Sequence, residues 1–202
     1  MNLNEEANRA RLFLGLTQED LDTLDSVKGF LLSRVDSIVD GVLETLLSDQ
    51  EAMEIAKKAG LSPEQARSLL KSVVYLTLEG NFDGEHARKV FMIGAAHLRA
   101  GVGPRLMILN AGAFAREVSR VLLEGGRAEA VVPSLKAISW TLYIIMASYL
   151  EAEARSLKEA SGLKPRLVEK LKRIKADEIY RQFKSLETDI DSGQLPPTPE
   201  RT

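Results

Sequence analysis

The chain carries two histidines, His86 and His97, and no cysteine. Disulfides, thiolate metal sites and a cysteine nucleophile are therefore excluded, and two imidazoles without a thiolate do not make a strong zinc site. On one unbroken helix the two rings stand three turns apart, ~16 Å, so they cannot share a single metal ion. His97 has the more unusual surroundings. Its helical neighbours at three and four residues are Ile93, Gly94, Ala100 and Gly101, which leaves a bare patch around one ring. Each glycine inside a helix costs ~1 kcal/mol relative to alanine. Either a flat group comes close to the imidazole there, or the helix packs tightly against another through small residues.

Other chemistries are absent from the sequence. There is no G-x-x-x-x-G-K phosphate loop, no G-x-G-x-x-G, no H-E-x-x-H and no G-x-S-x-G, so nucleotide binding, zinc hydrolysis and serine nucleophilic catalysis lack their usual residues. The carboxylate pairs Glu151 with Glu153 and Asp189 with Asp191 lie on polar segments and read as solvent-facing. A net charge of -2 and a pI near 5.8 give no bulk electrostatic case for nucleic acid. The first residues lack the basic start and apolar core of a signal peptide. No uninterrupted apolar run reaches the ~18 residues that span a bilayer. The expectation is a cytoplasmic, soluble chain that is not an enzyme.

The elements that must position His97 read as helices almost throughout. Asn4 to Phe13 forms a short leading helix. Thr17 and Asp20 open the next as a capping box, followed by Leu21, Leu24, Val27, Phe30 and Leu31 at three- and four-residue steps. A second apolar run passes through Val35, Ile38, Val39, Val42, Leu43 and Leu46 and ends near Ser48 and Asp49. A weaker helix from Gln50 to Ala59 stops at Gly60. Ser62 and Pro63 start a helix through Leu69, Leu70, Val73 and Val74 that ends at Gly80. Asp83 caps the helix bearing His97, and Gly101 to Pro104 breaks it. Arg105 to Leu123 is helical, Gly125 and Gly126 end it, and the longest helix runs from about Glu129 past Leu157. Its apolar residues, including Trp140, Tyr143 and Tyr149, exceed one face, so a second partner surface is expected. Residues 161–190 form a further helix with a basic start at Lys164, Arg166, Lys170, Lys172, Arg173 and Lys175. Its apolar steps are too irregular for a long coiled coil, and the charge run reads as a solvated face, with an anionic partner as the minor alternative. Residues 191–202 are Pro-rich and polar, as flexible tails are.

Ile93, Gly94, His97, Gly101 and Pro104, read as IGxxHxxxGxxP, resemble the proximal signature of the protoglobin and globin-coupled sensor family. GNFDGE at Gly80 to Glu85 and RLFLGLTQEDLDTL at Arg11 to Leu24 are similar to further segments of that family, and the match covers roughly residues 10–160. The resemblance implies an all-α, globin-like fold over residues 1–160, with an extra N-terminal helix and a C-terminal helical extension. It implies that His97 ligates the iron of haem b and that a diatomic gas occupies the opposite side. A pocket of Val42, Leu43, Leu46, Leu69, Val73, Phe91, Met92, His97, Val102 and Leu106 follows from resemblance and helical phase. It further implies a homodimer through the last two globin helices, with ligation passed to the partner subunit, to a downstream signalling protein or to an output domain beyond residue 202. Trp140 and Tyr143 are expected in the core or at the dimer seam. His86 is expected at the surface, or supporting a site without entering it.

The sequence departs from the family where the pocket should be polar. The F-Y pair expected on the second globin helix is replaced by Val42 and Leu43, and the aromatic pair after Pro104 by Arg105, Leu106 and Met107. Thr77 and Tyr75 would enter the pocket only if their helix were rotated. A more apolar cavity is expected, one that holds oxygen weakly and favours carbon monoxide or nitric oxide. The same losses suit an alternative, a haem-free globin fold serving as a dimeric signalling scaffold. A haem-dependent redox enzyme ranks third, since no distal acid–base group or reductase domain is present.

Overall fold

The structure, a computed structural model, describes residues 2–191. Among them are nine α-helices, one short 3-10 turn and no strand. In chain order the helices are α1 (Leu3–Phe13), α2 (Gln18–Ser33), α3 (Val35–Ser48), α4 (Gln50–Lys58), α5 (Pro63–Leu78), α6 (Gly84–Ala100), α7 (Pro104–Glu124), α8 (Val131–Ser161) and α9 (Pro165–Asp191). The chain divides into two compact units, Met1–Glu153 and Ala154–Thr202. The division therefore falls inside α8, somewhat before the expected boundary near residue 160. Of the tail expected over 191–202, all but Asp191 lies outside the described residues.

Local chemistry sets the helix ends. Thr17 and Asp20 cap α2 reciprocally, as do Ser62 and Gln65 at α5, where Pro63 occupies the first turn. Asp49 and Asp83 accept from the backbone N–H groups of Ala52 and His86 at the starts of α4 and α6. Each such cap is worth ~1 kcal/mol. Gly101 closes α6 in the left-handed region at φ 76°, a conformation that a Cβ penalises.

Two apolar clusters form the core of the first unit. One gathers Val27, Leu31, Ile38, Val39, Val118 and Leu122 from α2, α3 and α7. The other joins Ala7 and Ala10 of α1 to Phe82, Val90, Trp140 and Ile144. Trp140 is fully buried, and its indole N–H donates to the carbonyl of Ala7 at 3.1 Å. Half-buried Tyr143 donates its hydroxyl to Glu6. Of the two expected roles, core or dimer seam, these contacts give Trp140 the core and tie Tyr143 to α1.

Buried charges are paired. Glu117 of α7 lies against Gly41 of α3, where a Cβ would come 2.6 Å from the carboxylate. Burial alone would raise its pKa, but Arg120 at 2.9 Å and Arg116 at 2.8 Å hold it below the ordinary value. Asp20 follows the same pattern: burial is outweighed by Lys136 at 2.8 Å and by the Thr17 bonds, and its carboxyl too is held low.

The stretch Ala128–Ser161 is long and apolar enough, by composition, to cross a membrane, and half of its most apolar window is buried within the protein. Such a window is also what the core helix of a globular domain looks like.

Candidate functional site

His97 sits on α6 facing a cavity of about 520 Å³ whose walls come from α3, α4, α5, α6, α7 and α8. That volume falls within the ~300–1,000 Å³ usual for cofactor and small-molecule pockets. The half-buried ring is oriented by a hydrogen bond between its Nδ1 and the carbonyl of Ile93, at 2.7 Å. A carbonyl oxygen only accepts, so Nδ1 carries the proton and Nε2 keeps its lone pair. An imidazole fixed in this way through one nitrogen is a prepared metal ligand through the other.

The structure brings together Val42, Leu43, Leu46, Leu69, Val73, His97, Val102 and Leu106 on this cavity. Phe91 and Met92 do not join them. Relative to His97 they are rotated by more than 90° around α6. Met92 points to solvent with 67 % of its surface exposed. Phe91 packs toward the cluster built on α1 and α8, and its carbonyl accepts from the Ser148 hydroxyl.

The small residues near His97 serve two purposes. Ile93, Ala96 and Ala100 line the cavity. Gly94 faces α8 instead, where a Cβ would lie 2.2 Å from the Ile145 carbonyl oxygen and 2.6 Å from Ser148 Cβ. Tight helix packing thus explains Gly94, and the helix stop explains Gly101. Neither glycine is on the cavity wall.

Leu106 of α7 continues at four-residue steps to Asn110 and Phe114, and α8 adds Ile138, Thr141 and Ile145. Their three- and four-residue spacing was visible in the sequence, but not which face would turn inward. The wall is overwhelmingly apolar, as expected from Val42 and Leu43. Thr77 does reach it, but its hydroxyl is engaged by the Val73 carbonyl at 2.9 Å, while Tyr75 packs into the cluster of α2, α3 and α7. Ser72 lines the cavity too, with its hydroxyl donated to the Ser68 carbonyl at 3.0 Å, whereas the buried Oδ1 of Asn110 and Oγ1 of Thr141 find no protein partner. Leu47, Met53 and Leu69 are both exposed and part of the lining, which places the mouth beside α4.

His86 is a correction to the expectation of a surface or supporting position. It is buried at 4 % exposure in the core, its ring stacked on Trp140 and edge-on to Phe82. Its Nδ1 accepts from the Phe82 backbone N–H at 3.2 Å. Burial lowers its pKa from the ordinary value, with the Leu76 backbone and Asp83 opposing that effect in part.

No group of three or more metal-ligating side chains occurs among the described residues, so a metal here would need a cofactor to supply most of its coordination. One lone-pair-bearing imidazole nitrogen, apolar walls and an opening to solvent fit a haem. An all-helical fold with a histidine of its sixth helix facing such a cavity defines a globin-like domain. The family model for protoglobin matches residues 3–155, and the chain belongs to the protoglobin family. Domains of this family are of globin type and typically bind haem. Among curated proteins no relative matches the chain.

Proposed function

We propose that this chain binds haem b through His97 and a diatomic gas at the open side of the iron. The observation that carries this reading is the His97 Nδ1 bond to the Ile93 carbonyl, which turns Nε2 into the free basic nitrogen on the wall of an apolar cavity. Haem supplies, when bound, an iron with one coordination position left for the gas. The chain supplies the rest. Ile93 fixes the tautomer and orientation of His97. Val42, Leu43, Leu46, Val73, Val102 and Leu106 surround the cofactor with apolar walls, and Leu69 stands at the mouth. On the α3 and α5 walls the hydroxyls of Ser72 and Thr77 are engaged by the Ser68 and Val73 carbonyls, and the unpaired Asn110 and Thr141 stand on α7 and α8; with no free donor beside Leu43, the site favours carbon monoxide or nitric oxide over oxygen.

A shift of His97 has a short mechanical route outward. Gly94 brings the α6 backbone into contact with α8 at Ile145 and Ser148, and close-packed interiors transmit displacement rather than absorb it. Exposed Ile108, Leu109 and Leu123 on α7, with Val132, Leu135 and Leu150 on α8, support a homodimer built on these two helices; the gas signal would pass through it to a signalling partner. The haem-free scaffold is the weaker reading, because a core without a cofactor does not ordinarily keep so large an apolar cavity.

The test is an absorption spectrum of the purified protein with added haem, reduced and exposed to carbon monoxide, beside a His97→Ala variant. A stoichiometric Soret band that shifts with the gas and is lost or strongly altered in the variant supports the reading. A flat spectrum from folded protein overturns it.

A further inference from the structure

The second unit contains a surface that the globin reading leaves without a role. Between residues 164 and 175 the sequence has six cations and one carboxylate. On α9, Leu167, Leu171 and Ile174 fall within one narrow sector at 100° per residue, and their exposures are 44 %, 45 % and 52 %. Lys164 at the helix start and Lys175 border this apolar strip on one side, and Lys170 borders it on the other. Exposed Arg166 and Arg173 stand farther round on that second side.

We propose that the first three turns of α9 dock on an anionic lipid surface, lying in its plane. The strip supplies three aliphatic side chains to the acyl boundary, and the flanking cations meet anionic headgroups while their alkyl stems lie along the membrane. Charge complementarity selects this occupant over a second copy of the chain. In a coiled coil with Leu167, Leu171 and Ile174 at core positions, the adjoining core positions would be Lys164, Glu178 and Arg181. The seam would end after about one heptad, with a cation buried at one end and a carboxylate at the other. Two parallel copies would also align their basic segments side by side. Glu178 is instead paired on the surface with Lys175 at 2.6 Å.

Flotation of the full chain with vesicles tests the surface, using phosphatidylcholine alone and phosphatidylcholine with about one third phosphatidylglycerol, at about 0.1 M and 0.5 M salt. The expected result is binding to the anionic vesicles only, weakened at the higher salt. The charge reversal K170E/R173E/K175E and, separately, Leu171→Ser should each weaken it at least about tenfold. Circular dichroism of each variant checks that its helices are kept. Failure to bind anionic vesicles at the lower salt overturns the proposal. So does binding indifferent to Leu171→Ser, which would be charge attraction without insertion. A change of oligomeric state on Leu171→Ser, measured by light scattering, would assign the strip to a second copy and overturn it as well. Haem-free protein serves equally, so this test can fail without the haem reading failing.

Discussion

The imidazole of His86 lies stacked on the indole of Trp140, ring centres 4.8 Å apart and planes inclined by 21°. The pair joins α6 to α8, and the same indole holds α1 through Ala7. Gly80 makes room for it, since a Cβ there would fall 1.8 Å from His86 Cε1.

Stability should therefore fall as the solution is acidified from about pH 6.5, the usual imidazole value. His86 is held neutral in the fold and its pKa is lowered, first by burial. In the unfolded chain it protonates at its ordinary value, so the unfolded state takes up the proton first as pH drops. Stability is thus complete above that value and declines below it until the folded pKa is reached. The paired carboxylates of Asp20 and Glu117 are held low, so their contributions disappear only below about pH 4. Urea unfolding from pH 8 to 5 should show the decline, and His86→Leu should flatten it. An unchanged slope in that variant would remove His86 as the cause.

Gly94→Ala should destabilise the domain by about 1–3 kcal/mol. The added methyl meets the backbone of α8 at Ile145, which cannot turn aside as a side chain would. Gly112, also in a helix, has nothing within 4 Å of an added Cβ, and Gly112→Ala should be neutral or stabilising by up to about 1 kcal/mol. Thermal melts of the two variants side by side check the contrast.

Thr141→Val should stabilise the haem-free protein by about 1 kcal/mol. Thr141 lines the cavity at 4 % exposure, and its buried hydroxyl has no protein partner. Valine has nearly the same shape and leaves nothing polar unpaired. A lower urea midpoint would show that the hydroxyl is engaged in solution.

Leu43→Tyr should slow oxygen release from the haem-loaded protein at least about tenfold, with much less effect on carbon monoxide. Leu43 lines the cavity and is half-buried, and the substitution restores the type of donor that the F-Y pair of similar proteins carries. Stopped-flow release rates for both gases decide the matter.

The helices were legible in the sequence because their signals are local. Thr17 with Asp20, Ser62 with Pro63, and Asp83 act within three or four residues of themselves, and each lies where the structure has a cap. His97 was legible for a related reason, since its spacing from Gly101 and Pro104 belongs to one helix end. His86 was not. Its neighbours Glu85, Arg88 and Lys89 are polar, and what buries it is Trp140, more than fifty residues away. Phe91 and Met92 failed through helical phase, because proximity along the chain to a histidine does not put a side chain on the same face. Gly94 marks a gap in the sequence pattern that a cofactor or another helix would fill equally well, and only the packing against Ile145 and Ser148 of α8 decides between them.

The cavity is thinly closed on one side. No residue of α4 is buried, although Ala52, Met53, Ile55 and Ala56 all line the cavity. Little apolar surface holds that wall in place, so it can detach while the clusters around Leu31 and Trp140 remain assembled. Cofactor exchange and unfolding are then separate kinetic events with separate barriers. A mutation could empty the pocket quickly without shortening the lifetime of the fold, and a hyperstable variant could lose its cofactor as fast as the parent does.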